Sequence, residues 1–284
     1  MKSDNTFRNI SVSLISIWLG IFALLAFLLV VLLSFMKNDS TTIFSWQFTL
    51  DNYAALFSSL YALVFAKSFY IAGACTFFCI LLGYPFAYIL ARKVERWKEP
   101  LLLFLIIPFW TSSLIRSYAM VAILKTKGVL NNVLMHLGII HHPLQLLFTN
   151  SAVMIALVYN LLPFMILPLY ANLEKFDNRL IEAARDLGAG KIKTFTKIIL
   201  PLSLPGIVAG SILVFLPAMT LFYIPDLLGG AKALLLGNLI ENQFLLTNNW
   251  PLGSAISVTL TLIMGVMLIA HWLTSKNRER GDFL

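Results

Sequence analysis

Six stretches of this chain are long, apolar and nearly free of charge, and they limit its fold more than any other feature. The first, 11–36, holds no Asp, Glu, Lys or Arg at all. Crossing the hydrocarbon core of a bilayer takes about 20 mostly apolar residues in a helix, and backbone exposed to lipid must satisfy its own hydrogen bonds. The breaks between charges place spans at 11–36, 65–91, 100–124, 150–172, 203–225 and 253–274. Composition agrees. The 284 residues are 59% hydrophobic and 12% charged, against roughly 25% charged in soluble domains, and mean hydropathy is +0.85. The expectation is an all-α polytopic membrane protein with six transmembrane helices, forming a single domain over 1–284.

Two segments need separate treatment. Between Lys127 and Glu174 there is no charged residue, yet the stretch is too long for one span. Asn131, Asn132, His136, His141, His142, Pro143 and Asn150 mark its first half as an interfacial loop, so only 150–172 crosses. At the start, Lys2 and Arg8 precede an apolar run too long for a signal-peptide core. With no clear small-residue cleavage site after it, an uncleaved anchor is expected. Cys75 and Cys79 lie four apart on one helix face, a pattern of packing thiols rather than of a disulfide framework.

Basic residues set the orientation. With the N-terminus inside, Lys2, Arg8, Arg92, Lys93, Arg96, Lys98, Lys175, Arg179, Arg185, Lys191, Lys193, Lys197, Lys276, Arg278 and Arg280 fall in inner segments. Lys37, Lys125, Lys127 and Lys232 fall in outer ones. This asymmetry places both termini in the cytoplasm. Contact with anionic lipid at the inner leaflet accounts for the net charge of +8 without nucleic acid.

Between the fourth and fifth spans lies a polar loop, about 173–202. Asp177 to Leu187 reads as one helix, with Asp177 placed to cap its start and Gly188 suited to a left-handed position at its end. Leu180, Ile181, Ala184 and Leu187 form an apolar face, and Arg179, Glu182, Arg185 and Asp186 populate the rest. A second helical stretch from Lys191 to about Leu200 leads into Pro201. The small pair Ala183-Ala184 permits close approach by another protein surface. A helix resting on lipid headgroups would share the amphipathic pattern.

The spacing within this loop is more specific. Glu182-Ala183-Ala184, three residues, Gly188, nine residues, then Ile198-x-Leu200-Pro201 resembles the cytoplasmic signature of the permease subunits of ABC importers, with every position filled. Pro108 to Arg116, Leu162-Pro163-Phe164, Glu182 to Ala189, Leu216 to Met219 and Asp226 to Gly230 are similar to the spermidine/putrescine import permeases. The similarity runs from about residue 48 to the last span. What the resemblance implies is a type I importer permease fold with a coupling helix between helices 4 and 5. Glu182, Ala183, Ala184 and Gly188 would transmit the motion of a separate ATPase. The implied assembly, in a bacterial inner membrane, is a heterodimer of two permeases with two ATPase subunits and a periplasmic substrate-binding protein. Permeases for other small solutes share the fold and the motif.

No G-x-x-x-x-G-K-[ST] phosphate loop occurs, since Gly188-Ala189-Gly190-Lys191 has the wrong spacing and no Ser or Thr after the lysine. ATP and Mg are therefore expected on the partner ATPase, with no cofactor and no catalytic residue in this chain. No metal site is expected either, because three of the four histidines share one loop and His141-His142 lacks a third ligand at metal spacing. A secondary transporter remains the alternative. It would call for inverted repeats or midplane carboxylates, and the Asp and Glu residues lie near span ends.

A polyamine needs carboxylates or aromatic faces along its path, the latter contributing roughly 0.5–2 kcal/mol per contact. Asp226 and Tyr223, with Trp110 and Tyr118 from the third span, are the candidates for the outer mouth. Aromatic residues at span ends also form interfacial belts. Arg116, about 24 Å of helical rise beyond Pro100, is expected nearer the outer surface than the midplane. It would pair there with a carboxylate of this chain or of the second permease and organise a gate. Lys67 reads as an anchor at the outer start of the second span. Pro108, Pro163, Pro168, Pro217 and Pro225 are expected to bend helices, Pro217 by freeing the carbonyl of Leu213.

Overall fold

The computed structural model describes residues 2–39, 45–92, 95–177, 179–230 and 233–281, and no side chain in 2–10, 95 and 270–281. Lys93 and Lys232 lie outside the described residues, as do the side chains of Lys2, Arg8, His271, Lys276, Arg278 and Arg280.

The chain is almost wholly helical. Helices α1 (Lys2–Ser34), α2 (Asp51–Leu56) and α3 (Ser59–Ala91) come first, with a short hairpin of β1 (Met36–Lys37) and β2 (Ser45–Phe48) after α1. Next are α4 (Glu95–Ile106), a 3₁₀ turn over Ile107–Trp110, α5 (Ser113–Leu124), α6 (Val129–His136) and α7 (Asn150–Leu173). The polar loop holds α8 (Arg179–Asp186) and α9 (Lys191–Thr194), followed by a π turn over Phe195–Ile199 and α10 (Leu200–Thr220). A second π turn, Pro225–Gly229, precedes α11 (Leu236–Leu245) and α12 (Trp250–Gly281). Five stretches are long and apolar enough to cross a membrane: Ser11–Ser34, Ser59–Ala91, Asn150–Leu173, Lys191–Thr220 and Trp250–Ile269. The helix pair Arg96–Trp110 and Ser113–His136, bent by 90° at its break, makes a sixth if the two are counted as one broken span.

The residues form two compact units, 1–62 with 239–266 and 63–238 with 267–284. In the first, α1 exposes Leu14, Trp18, Phe22 and Leu25, as a helix that is apolar all round does when it faces lipid or another chain. Its end is tied down by polar side chains. Asn52 Nδ2 donates to the carbonyls of Ser34 (3.0 Å) and Met36 (2.8 Å), and the Ser34 and Tyr53 hydroxyls lie 2.8 Å apart. The hairpin pairs antiparallel, Met36 with Phe48 and Lys37 with Ser45.

The second unit is organised by α7 packed along α10. A Cβ at Gly210 would stand 2.7 Å from Met165 Sδ, and one at Gly206 would stand 2.8 Å from Asn172 Cβ. These two glycines, four apart, let the backbones approach as small residues do between membrane helices. Helix α3 joins them, with Gly83 against Met165 and Ile166. Cys75 and Cys79 are fully buried free thiols on α3, in agreement with a packing role.

Three spans differ from expectation. Instead of running straight over 100–124, the third breaks at Thr111-Ser112. Pro108 supplies no N–H, Thr111 is extended, and Ser112 Oγ accepts from Leu114 N (3.3 Å) to start α5 anew. The depth assigned to Arg116 from a straight helix therefore does not hold. The fifth begins at Lys191 rather than 203 and stops at Thr220 rather than 225. It stops there because Gly237 closes on the Thr220 carbonyl, where a Cβ would come within 2.3 Å, and Asn238 Nδ2 takes the Phe222 carbonyl at 2.7 Å. The second starts at Ser59 rather than 65, so Lys67 sits two turns inside α3 instead of at its mouth.

Candidate functional site

The segment that follows α7 is built as a rigid, exposed turn of helix. Asp177 Oδ1 accepts from Arg179 N (2.9 Å) and its carbonyl accepts from Leu180 N (3.2 Å), opening α8. At the other end Gly188 takes φ +77°. Its N–H donates to the Arg185 carbonyl and that of Ala189 to the Ala184 carbonyl, both at 2.9 Å. This is the Schellman closure, which needs a left-handed residue after the helix. Nothing lies within 4 Å of where a Gly188 Cβ would be, so the requirement for glycine is one of backbone conformation alone.

The apolar face read from the sequence divides in two. Ile181 and Ala184 are buried, whereas Leu180 and Leu187 are exposed, with Leu187 at 89% and the neighbouring Ile192 at 82%. Glu182 and Ala183 are exposed as well. Large apolar side chains standing free on a charged helix and loop suit a docking surface for protein or for lipid headgroups. Ala183 faces outward from it, while Ala184 packs beneath.

From this surface the chain passes directly into α10. Pro201 lies in the first turn of α10 and offers no N–H, and the five residues before Leu200 widen into a π turn, a feature common at functional sites. Tyr84 of α3 meets this region twice, edge-on to the Phe195 ring at 5.7 Å and at 3.0 Å from the Ser203 hydroxyl. At the end of α7, Glu174 Oε1 accepts from the Tyr170 hydroxyl and pairs with Lys98 Nζ at 3.1 Å. The Tyr170 hydrogen bond, helped by the Lys98 ammonium, holds the Glu174 carboxyl below its ordinary range.

At the other end of the unit, α5 packs against the Pro225–Gly229 turn. The Tyr223 hydroxyl donates to Ser113 Oγ at 2.8 Å. Asp226 is exposed, and Asn238 Nδ2 donates to its Oδ1. Trp110 (79%) and Tyr118 (55%) are exposed. The elements bearing Tyr118, Tyr223 and Asp226 are thus brought together, whereas no such contact is seen for the turn that carries Trp110 among the described residues. Ser113 and Asn238, which fix Tyr223 and Asp226, were not singled out from the sequence. Their only signal is a polar residue inside an otherwise apolar run.

Arg116 is 9% exposed and its Cζ stands 4.1 Å from the centre of the Phe109 ring. Nε and Nη1 are buried, with no acceptor among the described residues. Among the described residues its neighbour is an aromatic face, and no carboxylate of this chain is seen paired with it. His141 and His142 are exposed in their loop, and no cluster of three His, Cys, Asp or Glu able to hold a metal occurs among the described residues.

Comparison with known proteins agrees with this architecture. Residues 83–279 match the family described as binding-protein-dependent transport system inner membrane component. The spermidine/putrescine transport system permease protein PotB of Salmonella typhimurium is 51% identical over 284 residues, covering 99% of each chain. The corresponding permease protein PotC of Escherichia coli is 32% identical over 121 residues, 43% of this chain and 46% of its own. In fold, a chain of a bacterial ABC transporter that imports the acidic polysaccharide alginate superposes with a TM-score of 0.77 at 17% identity, over 97% of this chain and 96% of that one. The chain belongs to the family of binding-protein-dependent transport system inner membrane components.

Proposed function

We propose that this protein is a permease subunit of an ATP-driven importer that moves spermidine and putrescine into the cytoplasm. The observation that carries the substrate class is the 51% identity to the PotB permease over the whole chain. In this reading 1–284 acts as one permease domain, with both termini cytoplasmic. A second, homologous permease completes the path, a periplasmic protein delivers the cargo, and two copies of an ATPase bind ATP and Mg.

Coupling runs through Glu182–Pro201. Glu182, Ala183, Leu187 and Ile192 meet the ATPase, and Ala184 and Gly188 fix the shape of the helix that presents them. Motion of that helix reaches α10 through the π turn and reaches α3 through Tyr84. At the outer mouth, Asp226 supplies negative charge, and Trp110, Tyr118 and Tyr223 supply aromatic faces for an alkylammonium.

ATP hydrolysis by the assembled complex tests the reading. Spermidine-loaded binding protein should stimulate it above the level with empty binding protein, and the purified subunit alone should hydrolyse nothing. Equal rates with loaded and empty binding protein would discard the polyamine. Hydrolysis by the subunit alone would discard the division of labour.

A further inference from the structure

Where α3 ends and α4 begins, the surface carries a groove of about 420 Å³ lined by Phe86, Ile89, Leu90, Trp97 and Leu101. Trp97 is the one residue of the five with a polar side-chain atom, and Phe86, Ile89 and Trp97 are 39%, 57% and 52% exposed. One guanidinium stands over a lining residue and another lies close by in sequence. The Arg96 guanidinium lies 5.5 Å from the Trp97 ring and that of Arg92 lies 5.4 Å from the Tyr88 ring. Lys98 is already engaged by Glu174. Segment 92–99 holds four basic residues and two acidic ones, Glu95 and Glu99.

An apolar trough with a guanidinium over one of its lining residues, at the point where the chain leaves a span, matches an acyl chain joined to an anionic headgroup. Basic pockets between membrane helices on the cytoplasmic side take anionic lipid headgroups in this way. A zwitterionic lipid would fill the trough equally well and also offers a phosphate, but its own ammonium group offsets the attraction to Arg96, which a net-anionic headgroup keeps in full. We propose that this groove binds one acyl chain of an anionic phospholipid, with the lipid phosphate held by Arg96. The inner leaflet as its location rests on the orientation given under the proposed function. The site has a mechanical neighbour: α4 is joined through Lys98 to Glu174, immediately ahead of the coupling segment.

Trp97 reports its own environment. The assembled complex is placed in nanodiscs of phosphatidylcholine containing brominated-chain phosphatidylglycerol or brominated-chain phosphatidylcholine, and Trp97 emission is taken as the difference from a Trp97→Phe complex. Phosphatidylglycerol should quench at a mole fraction about fivefold lower, the effect of one basic residue at an anionic surface. Arg96→Gln should bring the two lipids level, and Ile89→Phe should weaken quenching by both. Equal quenching in the wild type, or a preference that survives Arg96→Gln, would overturn the site. Quenching by neither lipid would mean that a protein partner covers the groove, which also overturns it. Labelling of a Glu99→Cys complex from either side tests the orientation separately, so loss of lipid preference with cytoplasmic labelling intact counts against the lipid site alone.

Discussion

The Tyr84 hydroxyl stands 3.0 Å from the Ser203 hydroxyl, both side chains buried, and binds α3 to the first turns of α10. Its ring also rests edge-on against Phe195, within the π turn that joins α9 to α10. One side chain therefore touches both the π turn and the helix that follows it.

Tyr84→Phe removes the hydroxyl and keeps the ring. Ser203 Oγ retains its bond to the Leu200 carbonyl at 2.9 Å, so the loss is one hydrogen bond, about 1 kcal/mol. The expected outcome is a small fall in Tm together with a lower ratio of polyamine imported to ATP hydrolysed. An unchanged ratio would leave the Tyr84 contact structural only.

Gly188→Ala introduces a side chain at φ +77°, at a cost of roughly 1–2 kcal/mol for an L-residue. Gly188→Asn should cost less, because Asn tolerates the left-handed region. Faster amide exchange at Gly188 and Ala189, and weaker stimulation of hydrolysis by loaded binding protein, should follow in the order Ala, then Asn, then wild type. The reverse order would contradict the Schellman closure as the reason for this glycine.

Much of the polar loop between α7 and α10 was legible in the sequence because caps are local chemistry. Asp177 and Gly188 specify their turns within a few residues, and the structure places both as expected. The split of the apolar face was not legible: periodicity puts Ile181 and Leu187 on one stripe, but only tertiary packing decides that Ile181 is covered and Leu187 is not. The break at Thr111-Ser112 was under-read for a related reason. Pro108 marked a bend, whereas the capping capacity of Ser112 turns it into a right angle. Gly206 and Gly210 carried a readable close-packing signal that went unused. The pairing of Arg116 with Phe109 depends on that same break and could not be read from a straight helix.

Asp226→Asn preserves an oxygen for Asn238 Nδ2 and removes only the charge. If Asp226 attracts the cation, KM for spermidine uptake should rise about tenfold, equivalent to roughly 1.4 kcal/mol, with Tm unchanged. Wild-type KM would reduce Asp226 to a structural partner of Asn238.

Arg116 has two buried donors without acceptors among the described residues. Replacing a buried charge by an apolar side chain of similar size is often neutral or stabilising. Arg116→Met should leave the Tm of the isolated subunit unchanged or raised, and should weaken association with the second permease if that chain supplies the missing acceptor. A large fall in Tm of the isolated subunit would place the acceptor within this chain instead.

Uptake of labelled spermidine into proteoliposomes holding this chain with its second permease and ATPase, with binding protein present, is the most direct measurement. The expected result is uptake only when ATP is supplied on the ATPase side, and slower uptake in the Gly188→Ala complex. Uptake indifferent to ATP would contradict coupling through Glu182–Pro201 and indicate an ATP-independent transporter.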